Sequence, residues 1–378
     1  MSNKVIVYDF NDRPIGYINS LMPEMAIVSD YSGESFARKV TNRINALEKE
    51  EAAGPVYNDF HHVTTNIRYF SDGEPDIQIK ENIRGRAVFY VCSFQPDPMK
   101  RLAEIKFISS TLKDSSAAKV VVVPTYLGFM KKDWKDKPRV PISIRVVAET
   151  LEPYADTFLT IDMHSPQIQG MFRKPLDHLD GTVLIANHIR HNDYGSDLAL
   201  VENHDYDVDE FTVVSPDIGG LKRVKKLAER LGLKNPEDDA DNRRLAAVYK
   251  LRDPVTGKIV GGGIVGKENI KDRHVILLDD QVISGESVVK AAEMVTEVGA
   301  KSVHAYATHG LMTVKDGIPA EHRIADSLIQ KLYITDTVAR SMEYFDANPK
   351  IELISCTDLF AEAIRRIYYN KSLSELFR

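Results

Sequence analysis

The sequence is poor in cysteine and tryptophan and has no long apolar run. Its 378 residues include only two cysteines, Cys92 and Cys356, each within an apolar stretch, and one tryptophan, Trp134. Two isolated cysteines exclude a disulfide framework and a zinc-finger pattern, and we interpret them as buried, reduced thiols. No apolar run approaches the roughly 18 residues of a membrane span, and the beginning of the chain lacks a basic-then-apolar signal. We therefore expect a cytoplasmic protein without a membrane partner.

An excess of basic residues is also missing. The formal net charge is −6, which argues against a general nucleic-acid binder because such proteins usually carry a basic face. Anionic small substrates remain possible, since a local pocket can be basic in an acidic protein. The chain is long enough for two domains, each with its own core.

Short β-branched runs alternate with longer segments in which apolar residues recur every three or four positions. This order predicts an α/β fold with mostly parallel sheets flanked by helices, and it occurs twice, over about 1–180 and 181–350. A further strand and helix follow in 351–378. The predicted strands are 4–10, 86–94, 119–127, 157–164, 211–217, 274–280, 302–310 and 331–337, and the predicted helices are 33–49, 98–114, 140–153, 219–232, 285–299 and 358–369.

Two segments resemble mobile or inserted loops. Residues 48–66 begin with a polar, acidic stretch, and residues 253–273 contain three consecutive glycines and several lysines. Glycine runs lower local order and are common in loops that move, so we predict loops at both places.

Polar side chains follow most of the predicted strands. In open α/β sheets ligands bind beyond the carboxyl ends of the strands, so these side chains are candidates for a site. Carboxylate oxygens are the ligands that Mg²⁺ prefers, and the ion usually takes few ligands from protein and the rest from water and phosphate. The strand ends deliver Asp162, His164, Ser215, Asp217, Asp279, Asp280, Thr308, His309, Asp336 and Thr337.

The most informative strand end is the stretch VILLDDQVISGESVV over 275–289. Asp279 and Asp280 are followed by Ser284–Ser287, which lead into a predicted helix. Hydroxyls and backbone N–H groups at a helix N-terminus bind phosphate, and two adjacent acids suit sugar hydroxyls or a metal attached to them. The ordinary alternative is a turn with a serine N-cap; the acids upstream and the segment VVSPDIGG elsewhere favour a site.

Three more segments are candidates for binding. Residues 68–85 contain SDGE between extended stretches, which is also typical of a plain hairpin turn. Residues 126–142 cluster lysines around Trp134, which suits polyphosphate but also a solvated loop. Lys250 and Arg252 have the same strand parity before the glycine-rich segment, as a lid over a phosphoryl-transfer centre would need.

The motifs as a set resemble those of ribose-phosphate pyrophosphokinases, the phosphoribosyl pyrophosphate (PRPP) synthetases. They run in order from about residue 30 onwards, and DMHSPQIQGMF together with VVSPDIGG is the most specific part. The matching motifs are FSDGEPDIQIKENIRG, RVPIS, IDMHSPQIQGMF, VVSPDIGG, KLRDP, ILLDDQVISGES, AAEMVTEVGAKSVHAYATHG and LFAEAIRRI.

The resemblance implies two type I phosphoribosyltransferase-like domains, with 351–378 packing back on the first. It implies Mg²⁺-dependent transfer of the diphosphate of ATP to the 1-hydroxyl of ribose 5-phosphate, giving PRPP and AMP, in dimers that assemble into hexamers. The implied roles are ATP binding for Phe70, Asp72, Glu74, Lys131, Lys132 and Asp133; magnesium binding for His164 and Asp217; charge stabilisation for Lys250 and Arg252; and ribose 5-phosphate binding for Asp279, Asp280, Ser284, Gly285, Glu286 and Ser287.

Two motifs depart from the family pattern. The usual Arg-Gln-Asp-Arg of the ATP loop is Lys131–Trp134 here, which loses bidentate arginine geometry. The phosphate loop, usually Asp-Thr-Gly-Gly-Thr, is Ile283–Ser287, and Glu286 beside a phosphate is unfavourable unless its side chain points away. These departures leave open a catalytically weak relative that regulates or scaffolds an active partner. A phosphoribosyltransferase that consumes PRPP is a further alternative, which the doubled architecture and DMHSPQIQG disfavour.

Overall fold

The computed structural model describes residues 4–8, 14–19, 22–52, 58–191, 210–233, 244–252 and 259–377. The side chains of residues 4–8, 14–19, 191, 250–252, 259–260 and 377 lie outside what it describes. The chain begins with a separate two-stranded antiparallel hairpin, β1 (Lys4–Tyr8) and β2 (Pro14–Asn19). The predicted strand at 4–10 is therefore not part of a parallel sheet, because its partner is the adjacent segment of chain.

The first large sheet has seven strands in the order β5-β4-β3-β6-β7-β8-β9. All neighbours are parallel except β4 and β5, which form an antiparallel hairpin. Helix α2 starts at Pro98, and the side chain of Asp97 caps it by accepting from the Lys100 N–H at 3.2 Å. The elements are β3 (Met25–Ser29), α1 (Glu34–Glu51), β4 (His61–Tyr69), β5 (Pro75–Ile79), β6 (Ala87–Cys92), α2 (Pro98–Asp114), β7 (Lys119–Pro124), α3 (Ser143–Leu151), β8 (Thr157–Ile161) and β9 (Leu176–Leu179).

The second large sheet repeats this arrangement, in the order β12-β11-β10-β13-β14-β15-β16. Here too every pair is parallel except one hairpin, formed by β11 and β12. The elements are α4 (Thr182–His191), β10 (Phe211–Ser215), α5 (Leu221–Leu231), β11 (Leu245–Arg252), β12 (Ile259–Val265), β13 (His274–Val282), α6 (Glu286–Glu297), β14 (Ser302–Gly310), α7 (Ala320–Ala325), β15 (Lys331–Thr335), α8 (Met342–Ala347), β16 (Ile351–Ile354) and α9 (Thr357–Tyr368).

The identical strand order makes each element of one half the counterpart of an element in the other. The β4–β5 hairpin corresponds to β11–β12, and the loop after β6 corresponds to the loop after β13. Near-continuous apolar strands fill both sheets because helices cover both faces. The predicted α/β class and doubled arrangement are confirmed.

The segment after residue 350 is shared between the two halves. Strand β16 pairs in parallel with β15 at the edge of the second sheet. Helix α9 packs instead on helix α1 of the first half, where the Phe36 and Phe360 rings meet edge-on at 5.2 Å. The division at residues 180 and 350 stays a prediction. Within 351–378, β16 belongs to the second sheet, whereas α9 and the following Leu373 and Leu376 pack on the core of the first half.

Both segments predicted as loops contain regular structure. Ile259–Val265, with its three glycines, is strand β12, paired antiparallel with β11. Gly263 lies across from Tyr249, and a Cβ there would meet the tyrosine hydroxyl at 2.7 Å, so the glycine makes room for the ring. In 48–66, helix α1 continues to Glu51 and strand β4 starts at His61, while residues 53–57 lie outside the described residues.

Candidate active site

A cavity of about 420 Å³ opens beside the carboxyl ends of strands β10 and β13. The two halves of the chain meet next to it, where Thr125 donates to the Thr337 carbonyl at 2.7 Å and the Tyr126 ring contacts His309. Four of the ten side chains predicted from strand ends line this cavity: His164, Asp217, Asp279 and Asp280. Its lining includes Lys131, His164, Asp217, Asp279, Asp280, Ser284, Gly285, Glu286 and Ser287, as well as Lys315.

The two adjacent acids at the end of β13 have different environments. Asp280 is buried, its Oδ2 lies 2.9 Å from Nδ1 of His164, and Arg223 lies 3.7 Å from its other oxygen. Burial opposes ionisation, but the His164 contact and the Arg223 charge outweigh it and hold the pKa of Asp280 below its usual value. Burial and the Asp280 charge raise the pKa of Asp279 well above its usual value. Asp280 therefore ionises more readily than Asp279.

His164 reaches this cavity from the loop after β8. The hydrogen bond to Asp280 raises the pKa of His164 and occupies its Nδ1 atom. A carboxylate that holds one ring nitrogen and leaves the other for a ligand is typical of metal-binding histidines. Asp217 lies at the entry to helix α5, where its Oδ1 accepts from the Gly220 N–H at 3.0 Å.

The loop between β13 and α6 has the geometry of an anion-binding turn. Gly285 adopts φ +78° immediately before helix α6, a left-handed conformation that glycine adopts without strain. The N-terminal N–H groups of an α-helix have no intrahelical partner, so residues at this turn can donate to a phosphate. The loop backbone is braced from behind, because Thr313 N–H donates to the Ile283 carbonyl at 2.6 Å and Arg323 donates to the Ser284 carbonyl at 3.3 Å.

Glu286, the residue that departs from the family pattern, forms an ion pair. Its Oε2 contacts the Nζ of Lys315, and both side chains are about half exposed at the cavity wall. The carboxylate beside the phosphate loop is therefore neutralised by a lysine from the segment after β14.

The basic segment after β7 contributes one residue to the cavity. Lys131 lines it, and burial lowers the pKa of this lysine although Asp280 opposes the shift. Lys132 instead pairs with Asp136 at 2.5 Å. Asp133 is buried and accepts a hydrogen bond from Ser165, so it holds the His164 loop in place. Trp134 is 64% exposed.

The hairpin predicted to contact ATP lies outside the cavity lining. Phe70, Asp72 and Glu74 form the turn between β4 and β5, in which Asp72 Oδ1 accepts from the Glu74 N–H at 3.1 Å. Phe70 is 58% exposed. The turn presents an aromatic ring and two acids to solvent, away from the other predicted residues.

A buried polar network anchors the base of this hairpin. Tyr69 donates to Glu104 of helix α2, which also contacts Arg101. Arg101 is fully buried and donates to Asp30 at 2.6 Å and to the Ser93 carbonyl at 2.9 Å. The network lies at the carboxyl ends of β3 and β6, and Ser93 opens the loop that corresponds to the phosphate loop of the second half. Arg101, Asp30 and Glu104 therefore occupy the region of the first half that corresponds to the phosphate loop of the second half.

Lys250 and Arg252 lie on strand β11 of the second hairpin, whose register with β12 shifts between Leu251 and Arg252. Their side chains lie outside the described residues, so the predicted contact with the transferring group stays a prediction.

Two residues at the site were not found from the sequence. Arg223 of α5 approaches both acids, at 4.0 Å from Asp279 and 3.7 Å from Asp280. It stands in the run LKRVKK, where nothing distinguishes it from its exposed neighbours. Lys315 lies in a segment without a motif, and the sequence analysis expected no cation beside Glu286.

Comparisons with known proteins show the family to which the chain belongs. The description "N-terminal domain of ribose phosphate pyrophosphokinase" matches residues 25–154, and "Phosphoribosyl synthetase-associated domain" matches residues 240–378. The chain is similar to the ribose-phosphate pyrophosphokinase of Campylobacter jejuni, at 34% identity over 82% of this chain and 90% of the relative. It is 38% identical to ribose-phosphate pyrophosphokinase 1 of Streptococcus agalactiae over 83% of this chain and 88% of the relative.

A solved structure shows the same architecture. The phosphoribosylpyrophosphate synthetase from Mycobacterium smegmatis superposes with a TM-score of 0.74 at 25% identity, covering 92% of this chain and 99% of the other. The fold and site define a two-domain phosphoribosyltransferase-like protein with a phosphate loop and an adjacent acid pair. The chain belongs to the ribose-phosphate pyrophosphokinase family, and none of these findings favours a regulatory relative.

Proposed function

We propose that this protein transfers the diphosphate of ATP to the 1-hydroxyl of ribose 5-phosphate, giving PRPP and AMP. The observation that carries the proposal is the cavity in which the phosphate loop, the acid pair, His164 and Lys131 face one another. Family membership supports the same reaction.

The geometry supports a division of roles along the cavity. Ser284–Ser287 would hold the 5-phosphate at the start of α6, and Asp279 and Asp280 would bind the ribose hydroxyls next to it. This would orient the sugar so that its 1-hydroxyl is available to the nucleotide, with Lys131 and His164 lining the same cavity. Diphosphoryl transfer needs alignment and charge neutralisation more than covalent help from the protein.

The nucleotide side would be built from Lys131 together with the hairpin residues Phe70, Asp72 and Glu74, with Lys132 and Asp133 shaping the loop. Lys250 and Arg252, on the β11–β12 hairpin, would stabilise the charge that develops on the transferring diphosphate. Closure of that hairpin would also exclude water, which competes with the sugar hydroxyl as acceptor.

The residues present fit a magnesium ion. His164 has one ring nitrogen held by Asp280, and Asp217 offers a carboxylate at the cavity wall. Within the described part of the chain, no group of three or more His, Cys, Asp or Glu side chains could hold a metal alone. That sparse set suits Mg²⁺, which takes most of its ligands from water and substrate phosphates. When bound, the ion would neutralise phosphate charge.

Because the hairpin with Phe70 lies outside the cavity lining, we also propose a homo-oligomer, built from dimers, in which a neighbouring copy supplies that hairpin. No helix in the described ranges is long and apolar enough to cross a membrane. A cytoplasmic location is part of the proposal.

The test is a direct assay of purified protein with ATP, Mg²⁺ and ribose 5-phosphate, scored for both AMP and PRPP. We expect equal amounts of the two products. Lys250→Ala should lower kcat at least about 100-fold while leaving both KM values within about threefold, because a charge-stabilising cation acts mainly in the transition state. Lys267→Ala, an exposed lysine after β12, is the matched control and should behave as wild type.

The assay is repeated over a range of inorganic phosphate concentrations. Absence of AMP formation at every one of them would refute the enzymatic proposal and favour the regulatory alternative. An unaffected kcat in Lys250→Ala would refute the role of that lysine alone.

A further inference from the structure

The geometry points to Lys315 as a positioning residue of the phosphate loop, which holds the carboxylate of Glu286 away from the place of the substrate phosphate. This inference rests on the proposed function, because it takes Ser284–Ser287 as the loop that binds the phosphate of ribose 5-phosphate. No motif of the sequence assigns a role to Lys315.

The position of Glu286 creates the need for such a residue. Glu286 is the first residue of helix α6, directly after the left-handed Gly285. A carboxylate is stabilised at a helix N-terminus by the same unpaired N–H groups and dipole that bind phosphate. An unrestrained Glu286 would therefore compete with the substrate phosphate for the loop and also repel it.

Lys315 is held in a fixed place relative to this loop. It lies in a turn closed by mutual backbone hydrogen bonds between Lys315 and Ile318, of 3.1 and 3.0 Å. Arg323 donates to the Ile318 carbonyl at 2.7 Å, to the Lys315 carbonyl and, at 3.3 Å, to the Ser284 carbonyl. The same guanidinium thus joins the lysine turn to the phosphate loop.

The ion pair itself contributes little to folding. Its side chains are 48% and 54% exposed, and ion pairs of such exposure add little to stability because water and salt screen them. Both residues nevertheless line the cavity. Because the ion pair adds little to stability but lies at a ligand site, we assign it a role in binding. In that role Lys315 draws the Glu286 carboxylate toward its own turn.

A double-mutant cycle tests this role. Lys315→Met is made in the wild-type chain and in the Glu286→Gln chain, and each is assayed for KM, kcat and, by calorimetry without ATP, the Kd for ribose 5-phosphate. In the wild-type background we expect Lys315→Met to raise both KM and Kd for ribose 5-phosphate about tenfold, with kcat and the KM for ATP unchanged. In the Glu286→Gln background the same change should cost less than about threefold, because no carboxylate remains to be restrained.

Lys301→Met is the matched control. Lys301 forms an ion pair of similar exposure with Glu210, at 3.5 Å, and neither residue lines the cavity. This variant should match wild type in every constant.

Two results would overturn the inference: an equal loss in both backgrounds, which would mean that Lys315 acts on the substrate itself, or no loss in either. Wild-type protein that binds ribose 5-phosphate but forms no PRPP would refute the proposed function and leave the cycle to be judged from Kd. Wild-type protein that binds no ribose 5-phosphate would overturn both proposals.

Discussion

Replacement of Arg101 by methionine is expected to destabilise the first half of the protein strongly. The side chains of Arg101 and Asp30 are fully buried and that of Glu104 is 2% exposed, and the arginine contacts both acids. Removing the cation leaves Asp30 buried without the guanidinium that neutralises it, and leaves Glu104 with the more distant Lys100, whose Nζ lies 3.9 Å from its Oε1. Breaking a buried ion pair in this way costs about 3 to 5 kcal/mol, which is a large fraction of a typical folding free energy of about 5 to 15 kcal/mol.

The assay is urea unfolding followed by far-UV circular dichroism, together with a thermal melt. For a unit of the size of the first half, the same loss corresponds to a fall in Tm of roughly 6 to 20 °C. Arg38→Met is the matched control, because Arg38 pairs with Glu34 at 2.7 Å on the exposed face of α1, with side chains 60% and 40% exposed. That change should cost no more than about 0.5 kcal/mol.

A second measurement isolates the charge from the lost packing. Adding Asp30→Asn and Glu104→Gln to Arg101→Met removes both carboxylates that faced the arginine, so it should recover at least half of the lost stability. A loss below about 1 kcal/mol in Arg101→Met, or no recovery in the triple variant, would refute the reasoning. Glu104 also contacts Tyr69 at the base of the hairpin that carries Phe70, so changes in this network should also affect the proposed function of that hairpin.

Two further predictions follow from individual residues. Gly285→Ala should cost about 1 to 2 kcal/mol of stability, because alanine is strained at φ +78°, and should raise the KM for ribose 5-phosphate; Gly232→Ala, at φ +75° and outside the cavity, should cost the same without affecting that KM. Equal KM values in the two variants would contradict the role of the turn. Burial lowers the pKa of His304 to about 4, below its unfolded value of about 6.5, so the folded state binds fewer protons and stability falls as pH drops through this window. When the pH is lowered from 7 to 5, the unfolding free energy of His304→Gln should fall by about 2 kcal/mol less than that of wild type. Urea titration at each pH measures both values, and equal falls in the two proteins would refute the role of His304.

Much of the fold could be predicted because its strands are short apolar runs and its helices have clear periodicity. Asp97 and Pro98 mark the start of α2 in the sequence as they do in the structure. The glycine run 261–263 was misread because local propensity favours a loop, whereas pairing with β11 and the space needed by Tyr249 favour a strand with small residues. That outcome depends on a contact between strands, which no local pattern contains.

Cavity residues that share one loop could be found from the sequence. Residues that reach the cavity from distant segments could not. Asp279, Asp280 and Ser284–Ser287 follow each other along the chain, so their motif is readable. Arg223 and Lys315 reach the same cavity from other elements, and only the folded chain brings them there. The different pKa values of the two adjacent acids likewise depend on His164 and Arg223 rather than on the acids themselves.

The packing of helix α9 on helix α1 has a consequence for protein synthesis. Phe360 packs on Phe36, and Arg365 contacts Glu48 and Glu51, so part of the core of the first half comes from residues that follow the whole second sheet. The part of α1 that α9 covers therefore stays exposed while the ribosome makes some 300 further residues. The first half completes its core only after the second sheet has been made, and a nascent chain stalled before residue 357 would expose this part of α1 to chaperones and proteases.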